Sequence, residues 1–92
     1  MNREQISNKI IGILRADLLI DEIKEDDNIK NDLMLDSLDI VELSFIIEKR
    51  FHITIDMDIW RTIEDWSVSQ LIDYVDKEVN KNIAEWLYEF QV

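Results

Sequence analysis

A serine set among acids, in the run Leu35-Asp36-Ser37-Leu38-Asp39-Ile40-Val41-Glu42-Leu43, is where side-chain types and spacing in this chain could support covalent chemistry. Ser37 falls where the first turn of an amphipathic helix would begin, so its hydroxyl would lie beside unsatisfied backbone N–H groups and the positive end of the helix dipole. That setting suits a hydroxyl that carries an anionic group. Nucleophilic catalysis would instead need a base beside it, and His52 is the sole histidine. Fifteen residues along one helix put His52 roughly 22 Å from Ser37 at 1.5 Å per residue, too far for a Ser–His pair. Cysteine is absent, which removes thiolate nucleophiles, disulfides and cysteine-ligated metal sites. With 21 acids in 92 residues, neighbouring carboxylates are unavoidable and no acid–base dyad stands out. Asp56-Met57-Asp58 also lacks the glycine and spaced oxygen ligands of a calcium loop. The residues point to a modified serine in a chain with no catalytic residue and no metal site of its own.

The elements that would position Ser37 follow from apolar spacing. Ile6, Ile10, Ile13, Leu14 and Leu18 recur at helical intervals and predict a first helix over 3–18. From Leu19 to Asp36 the periodicity disappears among acids and asparagines, which predicts a long loop pinned by Ile23, Ile29 and Leu33. A second helix is predicted over 37–51, with Asp36 or Ser37 as its cap and Lys49 and Arg50 in its last turn, where cations suit the dipole. His52 to Asp56 alternates like a strand but has no partner strand, so it reads as an extended connector. Asp56 would then cap a short third helix over about 57–64, anchored by Trp60 and Ile63. Ser67 reads as the cap of a final segment carrying Leu71, Ile72, Val75, Val79, Ile83, Trp86, Leu87 and Phe90 at helical spacing, either one helix or two hinged near Asn80-Lys81-Asn82.

Composition agrees with one small domain, and the spacing above makes it all-α. Hydrophobic residues make up 47% of the chain, enough for a single modest core. The formal net charge of −11 opposes binding to phosphate backbones and to anionic lipid headgroups and favours basic protein surfaces, so nucleic acid is excluded as a partner class. No apolar run reaches the roughly 20 residues of a membrane span, and Met1-Asn2-Arg3-Glu4 does not open like a signal peptide. The expectation is a cytoplasmic protein without membrane insertion.

The second helix has more apolar residues than one buried stripe can use. Leu43, Ile46, Ile47 and Phe51 have the spacing of a core face, while Leu38, Val41 and Phe45 form a second line flanked by Asp39, Glu42 and Glu48. Either that second line is a docking strip for basic partners with apolar pockets, or it is buried under the C-terminal helix.

Asp36-Ser37-Leu38-Asp39 followed by Val41-Glu42-Leu43, and later Phe51, Ile55, Ser67-Val68 and Ile72-Asp73-Tyr74-Val75, resemble the acyl carrier protein family over about residues 4–78. The resemblance implies a small four-helix bundle with a long loop between helices 1 and 2 and, here, an extended C-terminal helix. It implies a carrier domain over 1–78 and a helical extension over 79–92. It implies that Ser37 is the attachment site of 4'-phosphopantetheine, delivered from coenzyme A by a phosphopantetheinyl transferase, and that the chain is a carrier and not an enzyme. By the same resemblance Asp36 and Leu38 are read by that transferase. Asp39, Val41, Glu42, Phe45 and Glu48 would be read by basic docking patches on acyl-transferring and chain-elongating enzymes. Acyl cargo would be sheltered by Ile46, Ile47, Ile63, Leu71 and Ile72.

The chain departs from the family pattern in places. Met34 stands where such carriers commonly have glycine, Lys49 and Arg50 where they often have acids, and Asp56 where a proline is usual. The resemblance implies fatty-acid, polyketide or a specialised lipid biosynthetic pathway, and these departures suggest a specialised carrier from a dedicated pathway more than a housekeeping one. An aminoacyl or peptidyl carrier of a nonribosomal or D-alanylation system shares the same chemistry and stays open at this point. An unmodified acidic interaction module that uses Leu38, Val41 and Phe45 also stays open.

Overall fold

The computed structural model describes the backbone of residues 1–91 and the side chains of residues 1–81. The chain folds into four helices, α1 (Arg3–Ala16), α2 (Ser37–Phe51), α3 (Met57–Ile63) and α4 (Val68–Gln91), and no strand occurs among the described residues. The all-α, four-helix expectation therefore holds. The final segment is one continuous helix, without a hinge near Asn80. The side chains of Ile83, Trp86, Leu87 and Phe90, expected to form an apolar stripe, lie outside the described residues.

Local signals start three of the helices. Asn2 accepts the Gln5 N–H and Gln5 returns the bond to the Asn2 N–H, each at 2.9 Å. Asp36 and Asp39 make the equivalent reciprocal pair at the start of α2, and Ser67 and Gln70 at the start of α4. At α3, Asp56 is extended but makes no side-chain capping bond, so this seven-residue helix relies on packing.

α1 packs on α4 and α2, and α2 packs on α3. Ile6, Ile10 and Leu14 of α1 meet Leu43 and Ile47 of α2, Ile63 of α3 and Leu71, Ile72 and Val75 of α4 in one buried core. α1 ends at Ala16, two residues before the predicted end. There the Leu18 and Ile20 N–H groups bond back to Ile13 and Leu14 carbonyls while Leu19 turns outward at φ 58°. The reversal half-buries Leu18 and Ile20 and exposes Leu19.

The segment between α1 and α2 is long but tied down. Ile29 and Leu33 are buried as expected, Ile23 is partly buried, and Leu35 joins them. Asn28 organises the stretch: its Oδ1 accepts the Lys30 and Asn31 N–H groups, and its Nδ2 donates to the Asp65 carbonyl at 3.2 Å. Backbone bonds from Ile29 to Trp66 and from Val68 to Asp27 fasten it to the α3–α4 junction. Arg3 adds an exposed clamp, reaching Glu25 at 3.0 Å and Asp73 at 2.8 Å. The Asp73 and Glu25 carboxylates hold its guanidinium further above its usual value.

Between α2 and α3, Ile53 and Ile55 are buried and alternate with exposed His52, Thr54 and Asp56, so the connector is extended as predicted. His52 closes α2 in the left-handed conformation, its N–H bonded to the Glu48 carbonyl.

Candidate functional site

Ser37 is the first residue of α2 and is exposed. Its position is set by the capping pair on either side: Asp36 Oδ1 accepts the Asp39 N–H at 2.8 Å, and Asp39 Oδ2 accepts the Asp36 N–H at 3.2 Å. Both carboxylates thereby add negative charge to the first turn, where the dipole favours it. On the preceding side, buried Leu33 and Leu35 anchor the loop while Met34 between them takes φ 58° and leaves its side chain 83% exposed.

Ser37 stands on the wall of a cavity of ≈ 360 Å³ between α2 and α3. α2 supplies Ser37, Ile40 and Val41; α3 supplies Met57, Trp60 and Arg61, and its C-cap Glu64 completes the wall. Its far side is steadied by Trp60, which meets Phe45 edge-on with ring centroids 5.0 Å apart. Trp60 Nε1 and Glu48 Oε1 are both buried without a hydrogen-bond partner among the described residues.

The second apolar line of α2 is not buried under α4. Leu38 is 77% exposed and Phe45 59% exposed, with Val41 half-buried at the cavity wall. Glu42 is exposed and Asp39 and Glu48 are half-buried, so the strip is bordered by acids. The core face needs one correction: Ile40 is buried and Ile46 only half-buried, because the buried stripe runs Ile40, Leu43, Ser44, Ile47, Phe51. Buried Ser44 is satisfied by donating to the Ile40 carbonyl at 3.0 Å.

The residues expected to shelter cargo are placed differently from the cavity wall. Ile47, Ile63, Leu71 and Ile72 are fully buried in the core, and none of them, nor Ile46, lines the space beside Ser37. Ile40, Met57, Arg61 and Glu64 were missed as wall residues. Ile40, one turn before Leu43, carried a readable signal; Met57, Arg61 and the C-cap Glu64 depend on where α3 docks.

Ser37 and His52 lie at opposite ends of α2, so the structure brings no base from His52 to the hydroxyl. No cluster of three or more histidine, cysteine or acidic residues suited to a metal occurs among the described residues. Among them, no helix is long and apolar enough to cross a membrane. Tyr74, near the same end of the bundle as Glu78, Asp56 and Glu48, has its phenol pushed above the usual value, first by burial and then by those carboxylates.

Comparison with known proteins bears directly on this serine-headed helix. The family model described as "Phosphopantetheine attachment site" matches residues 6–75. The chain is 36% identical over 81 residues to an acyl carrier protein of Guillardia theta, covering 86% of this chain and 98% of that one. It is 35% identical over 77 residues to an acyl carrier protein of Amoebophilus asiaticus, covering 82% and 94%. It is 30% identical over 88 residues to a mitochondrial acyl carrier protein of Saccharomyces cerevisiae, covering 89% and 69%.

Proposed function

The chain belongs to the acyl carrier protein family, whose cofactor is covalently bound 4'-phosphopantetheine, and from that premise we propose that Ser37 carries the arm and that this protein serves as a carrier. One observation supports this above the others: an exposed serine hydroxyl at the capped start of a fifteen-residue helix, on the wall of a cavity. The residues present fit the group. An anionic phosphodiester at Ser37 would meet the helix N-terminus, and a flexible arm would have an adjacent cavity walled by Ile40, Val41, Met57 and Trp60. The arm supplies a terminal thiol, which the cysteine-free chain lacks.

In attachment, Ser37 Oγ would bond to phosphorus as the pyrophosphate bond of coenzyme A breaks. 3',5'-Adenosine diphosphate leaves, and the hydroxyl proton passes to a base on the transferase. Asp36 holds the first turn on which Ser37 is exposed, and Leu38 lies exposed next to it for the transferase. Asp39, Val41, Glu42, Phe45 and Glu48 extend that surface along α2 toward basic patches of acyl-transferring and chain-elongating enzymes. The exposure of Leu38 and Phe45 supports this reading of the strip. Residues 1–78 form the carrier domain in this reading, supported by the span of the family match, with 79–92 as its helical extension.

Intact-protein mass spectrometry after incubation with coenzyme A, Mg²⁺ and a broad-specificity phosphopantetheinyl transferase tests the assignment. The native chain should gain one phosphopantetheine group. Ser37→Ala should gain none while keeping the same helical circular-dichroism signal and melting temperature. Modification of the alanine variant would move the site elsewhere.

A further inference from the structure

Met34 is held in a conformation that its side chain disfavours. Its φ of 58° lies in the left-handed region, where a β-carbon crowds the backbone and glycine is the usual occupant. The chain is driven there because buried Leu33 and Leu35 turn inward on both sides, their N–H groups bonded to the Asn28 and Ile29 carbonyls at 3.1 and 3.4 Å. Burial among the described residues does little to offset the cost, since Met34 is 83% exposed. A long apolar side chain held exposed at a strained position, three residues before the serine, is open to contact with a partner.

Met34 does not stand alone. Leu38 is 77% exposed directly after Ser37, and Met57, 70% exposed, shares the cavity wall with Ser37. Two large exposed apolar residues therefore lie within three residues of Ser37 in the chain and a third shares its cavity wall, among the acids Asp36, Asp39 and Glu42.

The occupant of that rim follows from the reaction at Ser37. An enzyme that joins a phosphoryl group to Oγ must bring its reacting centre within about 3.5 Å of it, so its surface must cover the residues around Ser37. Resting on the assignment of Ser37 above, we propose that Met34 is a specificity-determining contact for the phosphopantetheinyl transferase. The thioether enters an apolar pocket on the enzyme, whose basic border faces Asp36, Asp39 and Glu42. An unbranched, polarizable thioether suits such a pocket, and truncation at this position removes contact area made only in the complex.

The test uses the full chain and a transferase that modifies the wild type. Initial rates by intact mass across carrier concentrations would be compared for wild type, Met34→Gly, Met34→Lys, Met34→Leu and Leu19→Gly, alongside thermal melts. Leu19 is the control, since it has the same φ of 58° and is 81% exposed but lies eighteen residues before Ser37. Met34→Gly should melt no lower than wild type yet raise KM about fivefold with kcat within about twofold. Met34→Lys should lose more, Met34→Leu should stay near wild type, and Leu19→Gly should be modified like wild type. Equal kcat/KM for wild type, Met34→Gly and Met34→Lys would overturn this inference and leave the Ser37 assignment standing. An equal loss in Leu19→Gly would overturn it too, by tracing the effect to loop freedom. No mass gain in the wild type with any transferase would overturn both.

Discussion

Asp36 is an N-cap with a second, proposed role, and one substitution can separate the two. As N-cap it accepts the Asp39 N–H at 2.8 Å, and in the function proposed above its carboxylate beside Ser37 also presents charge to a basic enzyme. Asparagine keeps the acceptor oxygen and is as good a cap, whereas alanine removes both. Asp36→Ala should therefore lose about 1 kcal/mol of stability in urea unfolding, while Asp36→Asn should stay within a few tenths. If the carboxylate is read by the transferase, both variants should fall in kcat/KM for modification; normal modification of Asp36→Asn would reduce Asp36 to a cap. Tyr74 gives a second residue-scale test. Burial raises its phenol above the unfolded value, so the folded state keeps the proton more tightly. That contribution to stability is complete below the ordinary tyrosine range and is lost as pH rises through the folded value. Alkaline titration of tyrosinate absorbance should show a late-ionising phenol that disappears in Tyr74→Phe, and the variant should lose less stability than wild type over that window.

At the scale of elements, what the sequence made legible follows the signals that are local. α2 could be read to the residue because Asp36, Lys49 and Arg50 act within one turn of the helix they bound. The cavity could not, because it depends on α3, which has no side-chain cap and is positioned by tertiary contacts such as Phe45 on Trp60. The exchange of Ile40 for Ile46 on the core face has a similar origin. With apolar residues at 38, 40, 41, 43, 45, 46, 47 and 51, more than one stripe fits a helical period, and only the packed neighbours choose. The α1–α2 connection shows the same limit, since Ile29 and Leu33 were legible as anchors but the side-chain turn at Asn28 was not. That turn carries three hydrogen bonds linking the loop to itself and to Asp65. Asn28→Ala should cost about 1–3 kcal/mol by urea unfolding and speed amide exchange over 25–35, with α1 protection retained. Unchanged exchange in that stretch would show that the backbone bonds to Trp66 and from Val68 suffice.

At the scale of the whole molecule, the acidic surface proposed for docking works against the compact state. Twenty-one acids face ten bases, so folding gathers a net −11 onto one small surface, and self-repulsion opposes it. The described ion pairs relieve little of this. Arg3 with Glu25 and Asp73, and Arg50 with Asp17, are largely exposed, and such pairs contribute at most about 1 kcal/mol each. Added salt screens both effects, but the repulsion sums over every acid while the attractions are few and short-ranged. Stability should therefore rise with ionic strength. Between about 10 and 200 mM sodium chloride a gain on the order of 1 kcal/mol is expected, which for a chain this size corresponds to roughly 4–8 °C in melting temperature. The same screening should weaken docking to a basic enzyme, so KM for modification should climb over the range in which the fold becomes more stable. A melting temperature that fell with salt would show that the Arg3 and Arg50 pairs outweigh the repulsion, and that the acids on α2 are better neutralised within the fold than their exposure implies.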